Sequence, residues 1–360
     1  MFRRSIAPRL ARAPLLAAVI LVAAAPAQAA QVSVSQSTAE EGTLTSLSYS
    51  AATGEVNRLT LSQGAPVGGD PRIVVRDSGA TIAAGDGCTA TGPGEAVCRM
   101  PVGDFDNSIS ASLDDRDDTA DARAVRSAKV LLEGGRGADT LRGSRARVNS
   151  LFGDTIAGRR AGGVDVLVGG RAGDFLDGGP RDDTLDGRRG RDEASYANET
   201  SRVFVSLPAG RAEAPTHTDK LTSIENVEGG DGGDTLIGNA GRNRLTGEGG
   251  KDELRGNAGD DRLVGDGGGL FVGGGGKDDT MVGGPGNDLL LGERGDDRMF
   301  GRLGDDRLIA GRGRDDVFGG TGNDRVNSRD GRRDTVRCEA GADRVRPDAL
   351  DVLFGCEQVL

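Results

Sequence analysis

The chain has 360 residues, of which 61 are glycine, 3% aromatic and 28% charged, and its 56 acidic against 45 basic side chains give a net charge of −11. That composition is poor material for a large apolar core, and the acidic balance works against nucleic-acid binding, which needs a basic patch for phosphate. With a single histidine there is no ligand set for a histidine-based metalloprotease, and neither HExxH nor GxSxG occurs.

At the N-terminus, Arg3, Arg4, Arg9 and Arg12 precede an apolar run from Leu15 to Ala25, and Ala27-Gln28-Ala29 follows. A basic start, a short apolar segment and an A-x-A site make a secretory signal peptide over residues 1–30, with cleavage after Ala29 or Ala30. The apolar segment is about eleven residues long where a membrane span needs about twenty, and no later stretch is long enough to cross a bilayer. The sequence therefore predicts a soluble protein secreted outside the cytoplasm. Loss of the four signal-peptide arginines would take the net charge from −11 to −15.

Residues 31–130 read as a small β-rich region. QVSVSQS alternates, NRLTLS and RIVVRD are short strand candidates, and Gly, Pro, Asp and Ser punctuate them. Either a separate small β-domain or an irregular start of the following architecture accounts for the pattern. LDDRDDTADA brings together Asp114, Asp115, Asp117 and Asp118, as a solvated loop or a place for one more cation.

Residues 131–195 contain the first recurring units. Gly134 to Arg142 (GGRGADTLR) is well formed and contains Asp139, whereas Gly143 to Arg159 departs from the pattern and reads as degenerate coil. From Arg160 to Ser195 four units in register place Asp165, Asp174, Asp183 and Asp192 at their sixth positions. Their fourth positions are Gly163, Ala172, Arg181 and Gly190, and the two non-glycines weaken the case for tight turns there. Residues 196–228 form an insertion bridging the arrays, in which Val203, Val205 and Leu207 alternate. The one histidine, His217, falls in it and reads as a solvated loop residue.

The main array, residues 229–327, consists of eleven nine-residue units close to Gly-x-x-Gly-x-Asp-x-apolar-x. The fourth position is glycine except at Lys277, and the eighth is apolar throughout, so each unit buries one face of a short strand. At the sixth position stand Asp234, Asn243, Asp252, Asp261, Leu270, Asp279, Asp288, Asp297, Asp306, Asp315 and Asp324. Glycines at positions one and four supply the φ > 0 backbone of a tight turn and let neighbouring turns approach.

A nine-residue unit cannot bury its one apolar side chain alone, so units must coil and stack. Two units per coil set each strand beside the one eighteen residues later, about 4.8 Å away. The sixth-position residues then fall into two columns, one running Asp234, Asp252, Leu270, Asp288, Asp306, Asp324 and the other Asn243, Asp261, Asp279, Asp297, Asp315. Carboxylates about 5 Å apart repel by roughly 3 kcal/mol at an effective dielectric near 20. A hard divalent cation that takes six to eight oxygens offsets this, which favours calcium over magnesium, with its stricter geometry. Zinc is excluded by the lack of His and Cys in the repeats.

These units resemble the haemolysin-type calcium-binding nonapeptides of the RTX family, a signature of calcium-binding parallel β-helices. The resemblance implies an all-β fold, a parallel β-roll or β-helix solenoid with calcium ions between successive turns. It places metal ligands on the nine aspartates of the main array and, less securely, on Asp139, Asp165, Asp174, Asp183 and Asp192, and most strongly where stacked main-array positions both keep Asp. Those pairs are Asp234 with Asp252, Asp288 with Asp306, Asp306 with Asp324, Asp261 with Asp279, Asp279 with Asp297, and Asp297 with Asp315. Leu270 and Lys277 are expected weak points, and Asn243 a weakened site. An insertion opening near SYA and closing with IEN before GG is likewise similar to insertions within RTX-like proteins.

Four cysteines suit an oxidising compartment. The local pairing, Cys88 with Cys98 and Cys338 with Cys356, is favoured because eighteen residues, one two-unit coil, separate the second pair. Residues 328–360 read as a disulfide-closed cap, in which Asp334-Thr335-Val336, Asp343-Arg344-Val345 and Asp351-Val352-Leu353 are decayed units. Arg244, Arg262, Arg298, Arg307 and Arg325 lie at scattered outward positions. The expected function is that of a secreted, non-enzymatic calcium-binding protein with a structural or interaction role, toward a cell-surface or self-association partner. An extracellular hydrolase with accessory repeats and an RTX-type toxin are the alternatives.

Overall fold

The computed structural model describes residues 29–39, 42–101, 107–154, 162–266 and 277–360. The signal peptide expected at the start, up to residue 28, and Leu270 lie outside the described residues. Those described are all β, with 34 strands and no helix, and so no helix that is long and apolar enough to cross a membrane.

Each unit is a turn followed by a strand of three to six residues whose central side chain points inward. Partner strands lie one coil apart, as in Leu245 opposite Leu263 in one sheet and Met281 opposite Met299 in the other. Two long parallel sheets result. Sheet one stacks Ala111, Leu132, Leu151, Leu176, Ala194, Val227, Leu245, Leu263, Leu290, Leu308, Val326 and Val345 in one row. Sheet two carries a matching row through Leu141, Leu167, Leu185, Leu236, Leu254, Met281, Met299, Val317 and Val336. Both rows belong to a single buried core. The core is narrow, and each coil contributes about two buried apolar side chains at about 1.5–3 kcal/mol apiece.

Left-handed backbone falls on positions two and four. Position four includes Gly250, Gly259, Gly295 and Gly304, with φ from 110° to 129°, and position two is often not glycine, as at Glu248, Asn257 and Glu293 with φ of 71–73°. None of the described first-position glycines of the main array has such a φ. They are needed instead for close approach: a Cβ on Gly247 would strike the Asp252 carboxylate and lie 2.7 Å from the Gly265 carbonyl oxygen.

The register departs from the simple column expected from the sequence. Glu253–Arg255 pairs with Thr280–Pro285, so Leu254 faces Met281, twenty-seven residues on, and Leu263 faces Leu290. Every rung after Leu254 and Leu263 therefore changes column relative to the eighteen-residue spacing.

Regular coiling begins at Asn107–Ser112 and Thr119–Ala124 and runs through the stretch expected to be degenerate, where Asn149–Phe152 is a paired rung. Before it, the hairpin of Ala30–Ala39 and Gly42–Ser50 extends sheet one. Arg58–Val67, Asp70–Asp77, Glu95–Arg99 and Cys88–Gly92 extend sheet two as an antiparallel meander. The N-terminal region is therefore continuous with the solenoid and shares its core. The 196–228 insertion adds three strands to sheet two, His217–Thr222, Arg211–Ala214 and Phe204–Ser206, between Thr184–Asp186 and Thr235–Ile237, and returns to sheet one with Asn226–Glu228. At the far end coils continue to Gln358–Val359. Both expected disulfides are present, Cys88–Cys98 across one strand pair and Cys338–Cys356 between adjacent coils.

Candidate metal sites along the two edges

The sixth-position residues line the two edges of the roll, where the chain turns from one sheet to the other. On the edge entering sheet two, Oδ1 of each residue accepts the backbone N–H of its predecessor. Asp118 donates to Asp139, Asp139 to Asp165, Asp165 to Asp183 and Asp183 to Asp219 at 2.7–2.9 Å. Beyond the insertion the column runs Asp234, Asp252, Asp279, Asp297, Asp315, Asp334. The edge entering sheet one runs Asn149, Asp174, Asp192, Glu225, and then Asn243, Asp261, Asp288, Asp306, Asp324, Asp343. Asp261 therefore stacks on Asp288, not on the expected Asp279, and Asp252 gains Asp279 as its neighbour.

One carboxylate oxygen thus completes a backbone ladder, and the other is left over. Oδ2 of Asp139, Asp165, Asp183, Asp192, Asp252, Asp261, Asp279, Asp288, Asp297, Asp306, Asp315 and Asp324 is buried with no hydrogen-bond partner. These residues are at most 3% exposed. Three expected ligands differ. Oδ2 of Asp174 accepts the Gly170 N–H at 2.5 Å, and that of Asp234 accepts the Gly230 N–H at 2.8 Å. Asn243 accepts the Asn239 N–H and donates to the Glu225 carbonyl. The same unpartnered oxygen recurs at Asp118, Asp334 and Asp343, where the glycine pattern has decayed but an Asp-x-apolar triplet survives.

Burial pushes these carboxyls far above the usual carboxylate range, to about 9 at Asp183 and Asp297, about 8 at Asp252 and about 7 at Asp139, Asp165, Asp192, Asp261, Asp279 and Asp306. Neighbouring carboxylates add to the effect, as Asp279 and Asp315 do at Asp297. A buried unpaired polar oxygen is costly, and so many at regular spacing call for a cation.

The first-position glycine is the floor of each site. A Cβ on Gly256 would collide with the Asp261 carboxylate and lie 2.7 Å from the Gly283 carbonyl, and Gly283 stands likewise to Asp288 and Gly301. Carboxylate and carbonyl oxygens meeting where no side chain intrudes form a hard-oxygen donor set, suited to calcium. No cluster of three or more His, Cys, Asp or Glu side chains able to hold a metal occurs among the described residues; the carbonyl oxygens beside each carboxylate are further hard donors.

RTX calcium-binding nonapeptide repeats match the sequence over residues 131–146, 161–194, 228–263, 243–269, 273–308 and 300–334. The chain carries an RTX calcium-binding repeat array. No curated protein matches it.

The RTX turns hold a second ladder that the repeat pattern did not reveal. At the fifth position, Oδ1 of Asp260, Asp278, Asn287, Asp296 and Asp305 accepts an N–H from the following coil at 2.8–3.0 Å. These side chains run in the opposite sense to the sixth-position ladder and face solvent. His217, expected to be solvated, is buried on the strand His217–Thr222, its side chain 1% exposed and Nε2 3.9 Å from Asp219 Oδ2. The outward arginines are ordered: Arg244 faces Arg262, and Arg307, Arg325 and Arg344 occupy successive rungs of sheet one.

Proposed function

We propose that this is an exported calcium-binding protein whose roll folds as calcium fills the edge sites outside the cytoplasm. The observation that carries this reading is the row of buried, unpartnered Oδ2 atoms. Asp139, Asp165, Asp183, Asp192, Asp252, Asp261, Asp279, Asp288, Asp297, Asp306, Asp315 and Asp324 would hold the ions, together with first-position carbonyls. Asp174, Asp234 and Asn243 would contribute little, because their oxygens already accept N–H groups. Bound calcium supplies the positive charge that lets adjacent carboxylates ionise inside the fold.

The role that follows is structural or interactive rather than catalytic, with calcium concentration deciding whether the scaffold exists. A chain that is loose where calcium is scarce and folds where it is about millimolar suits export, since extracellular calcium modules bind near that concentration. The two disulfides fit an oxidising destination. Circular dichroism during a calcium titration, reversed with EDTA, tests the proposal. A large calcium-dependent gain of β signal is expected, and a spectrum indifferent to calcium would refute it.

A further inference from the structure

The two outer faces of the roll treat their charges differently. On sheet two Arg255 pairs with Glu253 and Arg337 with Asp316. On sheet one Arg244, Arg262, Arg307, Arg325, Arg344 and Arg346 flank the inward side chains of their strands, and none of them forms an ion pair with a described residue. Arg244 lies opposite Arg262, and Arg307, Arg325 and Arg344 follow rung on rung, although like charges directly opposite are destabilising. Arg307, Arg325, Arg344 and Arg346 line an open groove of about 300 Å³ with no acidic side chain in its lining.

The carboxylates of this face lie toward its other end. Glu133, Asp177, Glu193 and Glu228 stand on Ala128–Glu133, Phe175–Asp177, Glu193–Ser195 and Asn226–Glu228, strands that carry Lys129 and no arginine. On the arginine side the two carboxylates, Glu248 and Asp266, sit at the turn ends of their strands. Half-buried apolar side chains lie in both halves, Phe152 and Phe175 with ring centroids 5.5 Å apart in the acidic one, and Leu289, Leu291 and Ile309 in the basic one. The change of sign falls between the rungs Asn226–Glu228 and Arg244–Glu248, which are neighbours in the sheet.

We infer that this face binds a second copy of the chain, with the two rolls antiparallel. A twofold axis at the change of sign, lying along the strand direction, sets each rung against the one equally far on the other side. Arg262 then meets the partner's Glu193, Leu289 meets the partner's Phe175, Ile309 meets the partner's Phe152, and Arg325 reaches the rung that ends in the partner's Glu133. An axis along the roll would instead set arginine on arginine. Ten rungs, from Ala128–Glu133 to Arg325–Asn327, take part. At about 4.8 Å per rung and about 10 Å of strand, two such faces bury about 1,000 Å², the lower bound for a specific interface, so a dimer of micromolar affinity is expected.

Sedimentation velocity of the protein in about millimolar calcium tests this. The mass of two chains is expected at about 100 μM protein. Arg262→Glu alone, or Glu193→Arg alone, should weaken association about ten-fold or more, and the two together should restore it. Within one chain these residues are three rungs apart, about 14 Å, so the double variant can be rescued only between copies. If either reversal loses its calcium-induced β signal, Arg325→Glu and Glu133→Arg, at opposite ends of the face, make the second swap. A wild-type monomer, a dimer that the single reversals leave intact, or a double variant that stays monomeric would overturn the inference. So would a monomer that a sulfated polysaccharide binds through the same arginines, which would give the face to a polyanion. The inference needs only the folded roll, so a β signal indifferent to calcium would count against the calcium reading and leave a rescued dimer as its support.

Discussion

Asp77 in the N-terminal meander and Asp297 in the roll are both buried aspartates at 1% exposure, but their surroundings differ. Asp77 accepts N–H groups from Arg58 and Gly79 at 2.8 Å, and the Tyr49 hydroxyl lies 2.5 Å from its other oxygen. Asp297 spends Oδ1 on the Asp279 N–H, and its Oδ2 has no partner. Asp77 sits opposite Leu59 in the strand pairing, in a region whose core includes Leu47, Leu61, Ile73 and Val75. The roll repeats such a carboxylate at all but the Asn149 and Asn243 rungs of its described ladders, over a core one side chain deep on each face. Both oxygens of Asp77 are satisfied by protein atoms, whereas one oxygen of Asp297 is not.

That contrast should break most visibly with pH in EDTA. The roll carboxyls titrate at about 6 to 9 when folded, Asp288 and Asp315 at the low end and Asp183 and Asp297 at the high end, against 3.8 ordinarily. A raised folded value means that stability is fully present below about pH 4 and is lost as pH rises through the folded values. Metal-free protein should therefore gain β structure on acidification and lose it between about pH 6 and 9, as circular dichroism would show. In calcium the sign reverses, because protons compete for the same oxygens. A metal-free spectrum independent of pH would contradict this.

Core truncation comes next in size. Leu61→Ala in the meander should cost about 2–5 kcal/mol with or without calcium. Leu263→Ala in the roll should cost as much in calcium and change nothing in EDTA above about pH 9, where the roll is expected to be unfolded; thermal melts in both buffers separate the two. Loss of the Cys338–Cys356 link, by Cys338→Ser with Cys356→Ser, should cost about 2–4 kcal/mol at most. Its effect should be confined to the last coils, read as faster amide exchange from Thr335 onward.

The smallest effects distinguish individual rungs. Asp297→Asn removes a charge whose oxygen is unpartnered and should raise the calcium midpoint by about three- to ten-fold, roughly 1 kcal/mol. Asp234→Asn removes one whose oxygens already accept N–H groups and should shift the midpoint little. Equal shifts in calorimetric titrations would undo the distinction between partnered and unpartnered rungs.

Much of this was legible in the repeat. The apolar eighth position fixes which side chain turns inward, and spacing alone identified coil length and the Cys338–Cys356 pair. Leu270 misled because a lapse at the sixth position reads as one weak rung. A leucine cannot accept the N–H of Asp252, and the stack instead passes to Asp279. The difference between Asp234 and Asp252 was invisible, since it depends on whether the turn presents an N–H to the second oxygen. The fifth-position ladder went unread because Asp, Asn, Arg and Lys all occur there, and only the first two accept a hydrogen bond.

Hydrogen–deuterium exchange of the protein, followed by peptide with and without calcium, tests the central claim most directly. The account predicts slow exchange from Arg58 to Arg99 in both conditions, and protection from Asn107 onward in calcium only. Protection of the roll in EDTA at neutral pH, equal to that in calcium, would contradict it.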